Sequence, residues 1–441
     1  MLINKNYYFI VSLAGDVHSV ASLGISCQRN TFVCWNRENG EICHRFVTWK
    51  DLRGQKLTET WNKSFFIKML NAMGCFLYFF TRQKRFKAAH IFSFMNAMVT
   101  FRLIATIEQN VRMKKLLSED KLVFGCLDTW LIYKLSGGKM HITEPSNASS
   151  TGMFDPYLMD WGHFLLSLVS FPNILLPTIT YSAGQIIAVT DERIFGFPLS
   201  IGSLVGDQQA AAFACGCWHK GDINISLGTG SFIDVNTDTE PHLSIKGLYP
   251  LVGWKFPDSI SFLAEGFSNS TVMVLQWAKS IGLFSDVQEI SRIVESATDS
   301  ACSAFIGIQP NTTKEQMLRA ILKSIAFRIY QIWNVVLKEI NFINGDFIKC
   351  CGGVSGNNFI CQMISTLLNH PLQRIKEERF AAAKGAAMMA GITSEIWTKE
   401  DLCNMIIIDE TFTPELKRRS NLLKAFTAWE RALERCLNFY T

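Results

Sequence analysis

An alternation of strand-like and helix-like stretches constrains the fold of this 441-residue chain more than any other feature of its sequence. In DINISLGTGSFIDVN, residues 222–236, the apolar side chains of Ile223, Ile225 and Leu227 share one face before a Gly-Thr-Gly turn, and Phe232 follows that turn. A period of two residues is typical of a β-strand. The stretch therefore predicts two strands joined by a tight turn.

Helical periodicity appears in two other regions. It dominates from Lys63 to about Glu119 and again in TKEQMLRAILKSIAFRIYQIWNVVLKEI, residues 313–340. Thr312 and Glu315 form a capping-box pattern that predicts the start of the second, long helix. A strand-like FIKCCGG and a helix-like NNFICQMISTLL follow it.

The first half opens with strand signals as well. VASLGISCQR reads as a strand, and TFVCWNRENGEICHRFVTW reads as a hairpin whose turn contains Asn39 and Gly40. Strands and helices that alternate in both halves predict an α/β fold with two domains, residues 1–218 and 219–441, separated near Gly221.

Composition excludes several classes of protein. A chain with 48% hydrophobic and 18% charged residues is not mostly disordered. The net charge of +5 is spread thinly, so the basic run from Arg82 to Lys87 is interpreted as a solvated face and no nucleic-acid partner is expected. The 13 cysteines lack zinc-ligand spacing, which indicates reduced thiols, no metal held by cysteine and a cytoplasmic location.

No transmembrane segment or signal peptide is expected. The apolar piece YYFIVSLA near the start has a thinly charged flank, and Pro172 and Pro177 interrupt the weakly charged stretch 161–190. The sequence leaves the oligomeric state open, and a homo-oligomer is compatible with it.

Three short motifs carry candidate chemistry, although each has a simpler structural explanation. Asp207 opens an Ala-rich helix, where a carboxylate can serve only the helix terminus. The turn at Gly228, Thr229 and Gly230 can be a plain hairpin connection, or its N–H groups can face phosphate oxygens. Gly352 and Gly353 follow a strand and precede a helix N-terminus, an arrangement that can hold a nucleotide.

The order of the motifs is more specific than any one of them. GDQQAA, LGTGSF, GGVSGNNF and AAAKGAAMMAG follow one another as in the FGGY carbohydrate kinases, and within these the chain resembles the glycerol kinases. LGISCQRNTFVCWNRENGEICHRFVTWKDLR and FGCLDTWLIYKLSGGKMHITEPSNASSTGMFDP resemble blocks of the family's first half. The resemblance implies an actin-like (ribonuclease H-like) ATPase fold of two α/β domains with the active site between them. It also implies ATP and Mg²⁺ as cofactors and glycerol as the polyol substrate.

The resemblance assigns roles to individual residues. Asp207 matches the catalytic base, and the other matches concern the polyol and the nucleotide. On the polyol side, Arg29, Trp49, Gln208 and Phe232 match substrate-binding positions. On the nucleotide side, Gly228, Thr229 and Gly230 match the phosphate-binding hairpin, and Gly353 and Asn357 match the adenosine site.

The chain departs from the family pattern in four places. No Asp-Gly-Thr turn precedes Val20, so the first domain is expected to be incomplete. Asn30 stands where glycerol kinases have a glutamate, Cys351 replaces an acid, and the segment between Glu295 and Phe305 is shorter than in the family. Because two departures concern the phosphate site, the sequence predicts slow phosphoryl transfer and leaves two alternatives, a polyol kinase or a catalytically inactive binding module.

Overall fold

A computed structural model of the chain describes residues 19–228, 230–268, 271–284, 311–343 and 345–436. The Glu295 to Phe305 segment, which the sequence marks as short, lies outside these residues, as does the chain before Ser19. In the described part, strands and helices alternate through both halves of the chain, as the sequence predicts.

The strands fall into sheets that divide along the chain. In order they are β1 (Leu23–Cys27), β2 (Phe32–Asn36), β3 (Leu122–Cys126), β4 (Ile142–Thr143), β5 (Phe154–Asp155), β6 (Asp160–Trp161), β7 (Thr178–Ile179), β8 (Ala188–Val189), β9 (Ser200–Gly206), β10 (Ile223–Leu227), β11 (Ser231–Asp238), β12 (Tyr249–Lys255), β13 (Ile260–Ser268), β14 (Ile348–Cys351), β15 (Leu372–Ile375) and β16 (Ile408–Phe412). All strands from β10 onward belong to one sheet, in the order β12-β13-β11-β10-β14-β15-β16, while the first half has smaller sheets.

The helices cover these sheets. They are α1 (Gln55–Asn62), α2 (Phe65–Thr81), α3 (Lys84–Ile91), α4 (Val99–Glu108), α5 (Val111–Ser118), α6 (Leu127–Leu135), α7 (Pro145–Ala148), α8 (His163–Leu168), α9 (Glu192–Phe195), α10 (Asp207–Ala214), α11 (Thr271–Ser280), α12 (Lys314–Glu339), α13 (Asn358–Leu368), α14 (Ala381–Thr393), α15 (Lys399–Met405) and α16 (Leu416–Cys436). Short 3-10 turns span Ser149–Thr151, Asn173–Leu175 and Glu378–Phe380.

The seven-stranded sheet that contains β10 to β16, called the central sheet below, has both parallel and antiparallel strand pairs. β10, β14 and β15 run parallel, and β11, β13 and β12 extend the sheet through antiparallel pairs, with β13 between β11 and β12. The hairpin predicted over residues 222–236 is β10 and β11, with Ile225 opposite Ile233. All five residues of β10 are buried because this strand lies inside the sheet with helices on its faces.

The prediction for helix capping needs correction, and the predicted hairpin forms with limited pairing. In the hairpin over residues 31–49, β2 makes antiparallel bridges with Ile42 and Val47, and the Asn36 N–H donates to the Glu41 carbonyl at 2.9 Å across the turn. The other edge of β2 pairs along its length with β3. The capping box of α12 lies one residue later than predicted: Thr313 caps the helix, and its partner is Gln316. Gln316 satisfies the same geometric requirement as a glutamate.

Helix α12 forms the centre of the second hydrophobic core. Ile321, Phe327 and Trp333 are buried against the central sheet and against α13 and α16. The helix is long and apolar enough to cross a membrane, but 61% of its apolar window is buried inside the protein. The tandem α1 and α2 reaches the same apolarity only as a pair bent by 51°.

Helix α14 joins the two halves of the chain through very close packing. A Cβ atom at Gly385 would lie 1.8 Å from the carbonyl oxygen of Ala210 on α10, and one at Gly24 on β1 would lie 2.3 Å from the carbonyl oxygen of Ala386. The Ser203 hydroxyl of β9 donates to the same Ala386 carbonyl at 2.7 Å. The small residues of AAAKGAAMMAG therefore allow this close packing, and they fix the position of α10.

Candidate functional site

A cavity of about 320 Å³ lies between the first-half sheet and the central sheet. It gathers eight of the predicted site residues in one place. These are Arg29, Trp49, Asp207, Gln208, Gly228, Gly230, Phe232 and Gly353. Thr229 lies outside the described residues. Asn357 does not line the cavity; its side chain caps α13 by accepting from the Ile360 N–H at 3.1 Å.

Asp207 reaches the cavity because a buried strand ends immediately before it. β9 pairs in parallel with β1, Gly206 opposite Cys27, and the chain then turns into α10 with Asp207 as its first residue. A Cβ atom at Gly206 would lie 2.6 Å from the Gln209 side-chain oxygen, so a larger residue would displace that side chain. The Gly206 N–H donates to the Ser146 hydroxyl at 2.8 Å.

The buried carboxylate of Glu144 accepts several hydrogen bonds and stabilises this turn. Glu144 accepts from the Ser146 N–H at 2.9 Å, from the Asn147 N–H at 2.6 Å and from the Ser182 hydroxyl at 2.6 Å. The fully buried Glu144 thus caps the short helix α7 and orders the serine that contacts Gly206. Such a network limits movement of Asp207 relative to the cavity.

Arg29 forms a buried ion pair across the cavity. Its Nη2 lies 2.5 Å from Oε2 of Glu265 on β13, and both side chains are less than a tenth exposed. Burial alone would lower the pKa of Arg29, but the carboxylates of Glu265 and Asp207 raise it further than burial lowers it. The guanidinium therefore stays charged beside the catalytic-base candidate.

Asp234 adds a second acid behind this pair. It faces Glu265 directly across the β11 and β13 ladder, and no donor among the described residues reaches its buried carboxylate oxygens. Burial and the neighbouring Glu265 charge raise the pKa of Asp234 well above its ordinary value. Asp234 is therefore harder to ionise than an exposed aspartate.

Asp207 carries opposing electrostatic influences. Burial raises its pKa above 3.8, and the Arg29 guanidinium together with the Gln208 N–H, which donates to Oδ1 at 2.9 Å, opposes that shift. The net direction is upward. A carboxylate of increased basicity is better suited to accept a proton from an alcohol than an exposed aspartate is.

Two amide side chains at the cavity differ in their hydrogen bonding. The buried side-chain oxygen of Gln208 accepts no hydrogen bond from the described residues, which leaves it available to a ligand hydroxyl. Asn30 lines the same wall with a φ of 60°, and its Oδ1 accepts from the Ser150 hydroxyl at 2.9 Å. Asparagine tolerates this left-handed conformation better than glutamate does.

Aromatic side chains form the apolar walls. Phe232 and Phe267 face each other across the β11 and β13 ladder, with ring centroids 6.4 Å apart. Trp49 and Tyr249 line the cavity as well. Walls of this kind pack against the carbon atoms of a small polyol while the polar groups bind its hydroxyls.

Glycines also line the cavity. Gly352 has a φ of 93°, and a Cβ atom there would lie 2.6 Å from the Leu227 carbonyl oxygen, so only glycine fits between β10 and β14. Gly353 differs, because a Cβ atom there would have only the Arg379 side chain within 4 Å. Its small size keeps space open in the cavity.

The sequence did not single out several cavity residues. Glu265, Tyr249, Phe267 and Arg379 line the cavity although no motif contains them. Of these residues, only Glu265 could have been identified from the sequence, because it is a charged residue inside the strand-like run ISFLAEGFS. Its partner Arg29 is 236 positions away in the chain, so the sequence could not identify the pair.

Cys351 does not occupy a catalytic position. It is buried in β14, where its thiol lies 3.4 Å from the Ser226 hydroxyl and 3.6 Å from the Asn224 side-chain oxygen. Cys350 beside it is also a buried free thiol. The adjacent cysteines are thus small core residues, as the sequence indicates.

The donor set of the cavity fits a magnesium ion only when phosphates supply most of its ligands. Within the described ranges, no group of three or more His, Cys, Asp or Glu side chains could hold a metal ion. Mg²⁺ is usually bound by one or two carboxylates, with phosphate oxygens and waters as the other ligands. Asp207 provides one such carboxylate, since Glu265 is already paired with Arg29.

Comparisons with known proteins agree on one family. The N-terminal domain of the FGGY family of carbohydrate kinases matches residues 12–214, and its C-terminal domain matches residues 282–394. Glycerol kinase 5 of Danio rerio is 38% identical over 95% of this chain and 84% of the relative, and that of Bos taurus is 37% identical over 98% and 85%. A crystal structure of Plasmodium falciparum glycerol kinase with ADP superposes with a TM-score of 0.81 at 23% identity, covering 98% of this chain and 88% of that one. The fold is therefore that of the actin-like ATPases, with two α/β domains.

Proposed function

Because the chain belongs to the FGGY family of carbohydrate kinases and is a kinase that transfers phosphate to an alcohol group, we propose that its acceptor is glycerol and its donor ATP. Carbohydrate kinases of this family use ATP, and relatives named glycerol kinase support the acceptor. The observation that carries the proposal is the cavity of about 320 Å³ that brings Asp207, Arg29 and Gln208 together with the glycine turns.

In the proposed mechanism, one end of the cavity holds the polyol. Arg29 and Gln208 bind its hydroxyls, and Trp49 and Phe232 pack against its carbon atoms. A small cavity with two aromatic walls favours a three-carbon polyol over a larger sugar. The ion pair with Glu265 fixes the Arg29 guanidinium, so that little side-chain freedom is lost when the polyol binds.

Asp207 acts on the reacting hydroxyl. The hydroxyl oxygen forms a bond to the γ-phosphorus of ATP, the bond from that phosphorus to the β,γ-bridging oxygen breaks, and ADP leaves with the electron pair. The hydroxyl proton passes to the Asp207 carboxylate and then to solvent. In a loose transition state the proton moves late, so a positioned carboxylate of moderate basicity is sufficient.

The glycine turns receive the phosphates. Gly228 and Gly230 line the cavity, and Gly353 keeps space open for the nucleotide. Mg²⁺ bound to the nucleotide would be held by Asp207 and the phosphate oxygens, and would offset the negative charge of the phosphates. The Asn357 role in adenosine binding remains a proposal, because its side chain caps α13.

An ADP-release assay tests the proposal on the full chain. We expect glycerol-dependent ADP release, a kcat at least about 100-fold lower in Asp207→Ala, and an unchanged kcat in Asp258→Ala, which removes an exposed acid from the turn after β12. Turnover of a pentulose with none of glycerol would contradict the acceptor. Absence of turnover with every polyol would favour the inactive binding module.

The free thiols bear on the cellular location. Buried cysteines such as Cys350 and exposed ones such as Cys403 are all unpaired in the described part of the chain. Thiols of this number persist in a reducing compartment. We propose a cytoplasmic location, which cell fractionation with compartment markers tests.

A further inference from the structure

A second and larger cleft adjoins the cavity of about 320 Å³ that contains Asp207, which is called the polyol cavity from here on. Its volume is about 860 Å³, within the range of roughly 300–1,000 Å³ that holds small-molecule ligands. Helix α3, the segment 152–165 and the segment 241–250 form its walls. None of the predicted site residues lines it.

The two cavities share one wall. The wall consists of residues that line both cavities: Met95, Met98, Tyr249 and Phe267. A ligand that extends past these side chains contacts both spaces. Two of the four side chains are methionines, which are unbranched and adapt their shape to a neighbouring aliphatic chain. The polyol cavity and the second cleft therefore adjoin each other across a wall of adaptable side chains.

The lining of the second cleft is mainly apolar. Leu70, Phe92, Met153 and Leu158 contribute to it, and one ion pair, Arg85 with Asp155 at 2.9 Å, lies at its exposed edge. An apolar lining of this size gains free energy from aliphatic ligands and none from a bare polyol. The occupant must consequently carry a hydrocarbon part.

One polar atom of a residue that lines the cleft has no partner among the described residues. The hydroxyl of Tyr157 is buried and makes no hydrogen bond to any described residue. An unpaired buried hydroxyl is costly unless a ligand atom accepts its proton. An ether or ester oxygen at the start of an aliphatic chain is such an acceptor.

The surface beside the cleft is also apolar. Helix α2 packs along α3, and its Asn71 side chain donates to the Ala89 carbonyl at 2.8 Å. On its outer side, α2 exposes large hydrophobic side chains, including Phe65, Phe76, Phe79 and Phe80, each at least 64% exposed. A ligand with an aliphatic chain leaves a lipid aggregate more readily next to such a surface.

We propose that the acceptor is a glycerol that carries one aliphatic chain, a monoalkyl- or monoacylglycerol, with its free hydroxyls in the polyol cavity and its chain in the second cleft. This inference rests on the proposed polyol kinase function and specifies its substrate class. The transfer is the same step: a hydroxyl oxygen of the lipid takes the γ-phosphoryl group of ATP, ADP leaves, and the proton passes to Asp207. The product is a lysophosphatidate or its ether analogue.

A series of 1-O-alkylglycerols tests the proposal with the full chain. Each methylene buried in the cleft should improve binding by up to about fourfold, so KM should fall at least tenfold from glycerol to 1-O-octylglycerol, measured below the concentration at which micelles form. A KM for octylglycerol equal to or above that for glycerol overturns the inference and leaves the glycerol kinase proposal intact.

Variants test whether the aliphatic chain of the ligand lies in the cleft. Ala88→Trp fills the cleft from α3, and Leu158→Asp places a charge at its exposed side. Both should lower the ratio of kcat/KM for octylglycerol to kcat/KM for glycerol at least tenfold. Gln83→Trp, which introduces the same indole at an exposed position before α3, should leave the ratio unchanged. Equal ratios in all variants that fold overturn the inference.

A binding measurement separates the two proposals if no acceptor is turned over. Calorimetric titration of Asp207→Ala with octylglycerol and with glycerol reports the cleft without chemistry. Tighter binding of octylglycerol, lost in Leu158→Asp, supports the cleft even where the proposed kinase function fails. Absence of octylglycerol binding overturns the inference.

Discussion

Nη2 of Arg29 lies 2.5 Å from Oε2 of Glu265, in an ion pair between residues 236 positions apart in the chain. The pair joins the end of β1 to the middle of β13 and lies at the wall of the polyol cavity. Because both side chains are buried, removal of one partner leaves the other charge without compensation. The same contact therefore supports both the fold and the site.

The first prediction concerns this pair. We expect Glu265→Gln to lower the free energy of unfolding by about 1–3 kcal/mol, because a hydrogen bond between two charges becomes one to a neutral amide. Urea denaturation measures the change. Glu41→Gln, which alters the exposed ion pair with Arg112 at 2.7 Å, is the control and should leave the urea midpoint unchanged. Equal shifts in both variants would contradict the assignment.

The second prediction is a shift in the pH profile. Because burial raises the pKa of Asp207 and Arg29 lowers it, kcat should fall with decreasing pH at a value above 3.8, as the carboxylate becomes protonated. Arg29→Gln removes the opposing charge and should move this acid limb to higher pH. Trp49→Phe keeps the charges and should leave the limb in place. An unmoved limb in Arg29→Gln would show that another group controls it.

The third prediction concerns Asp128, which is fully buried and accepts from the Thr143 hydroxyl at 2.5 Å. Burial raises its pKa from 3.8 to about 7 in the folded chain. A raised folded pKa gives stability that is present below about pH 4 and is lost as pH rises through about 7. The unfolding free energy of Asp128→Asn relative to that of the parent should therefore increase from pH 4 to pH 7. A difference independent of pH would contradict this pKa.

The fourth prediction separates two adjacent glycines. Gly352→Ala should lower the melting temperature, because its φ of 93° and the Leu227 carbonyl 2.6 Å from the added Cβ leave no room. Gly353→Val should keep the melting temperature, since its surroundings are open, but should weaken ADP binding at least tenfold by filling the cavity. Calorimetry and thermal unfolding measure the two effects. Unweakened ADP binding in Gly353→Val would move the nucleotide elsewhere.

The fifth prediction concerns the crossing of α14 and α10. Gly385→Ala places a Cβ atom 1.8 Å from the Ala210 carbonyl oxygen, so we expect a loss of about 1–3 kcal/mol in unfolding free energy and a reduced kcat, because α10 carries Asp207. Ala387→Ser adds one atom on the exposed side of α14 and should change stability by less than about 0.5 kcal/mol. A stable, fully active Gly385→Ala would show that α10 can shift without consequence.

The sequence predicts the parts of the site that lie on local motifs. Asp207, Gly228 and Gly353 lie at turns that follow buried strands. The period of such a strand and the composition of the turn after it are both visible in one segment of the sequence. Arg29 and Trp49 were found through the family pattern, and all five line one cavity.

Other parts of the site depend on contacts that no single segment displays. Glu265 and Asp234 meet only when β11 pairs with β13 in one register, and Tyr249 reaches the cavity through the further pairing of β12. The register of a sheet follows from the packing of the whole core. The capping box of α12 was misplaced by one residue because Thr312 and Thr313 both satisfy the sequence pattern, and only the backbone selects Thr313.

The packing of α14 against the first half of the chain also sets the order in which the protein matures on the ribosome. The Ser203 hydroxyl binds a carbonyl that lies 183 positions later, and the Ser22 hydroxyl binds one 368 positions later. At about 5–20 residues per second, the first of these partners is synthesised roughly 10–40 s after Ser203. During that interval the small-residue face of α10 is without the helix that covers it. Asp207, the first residue of α10, thus reaches its final surroundings only after α14 has been synthesised.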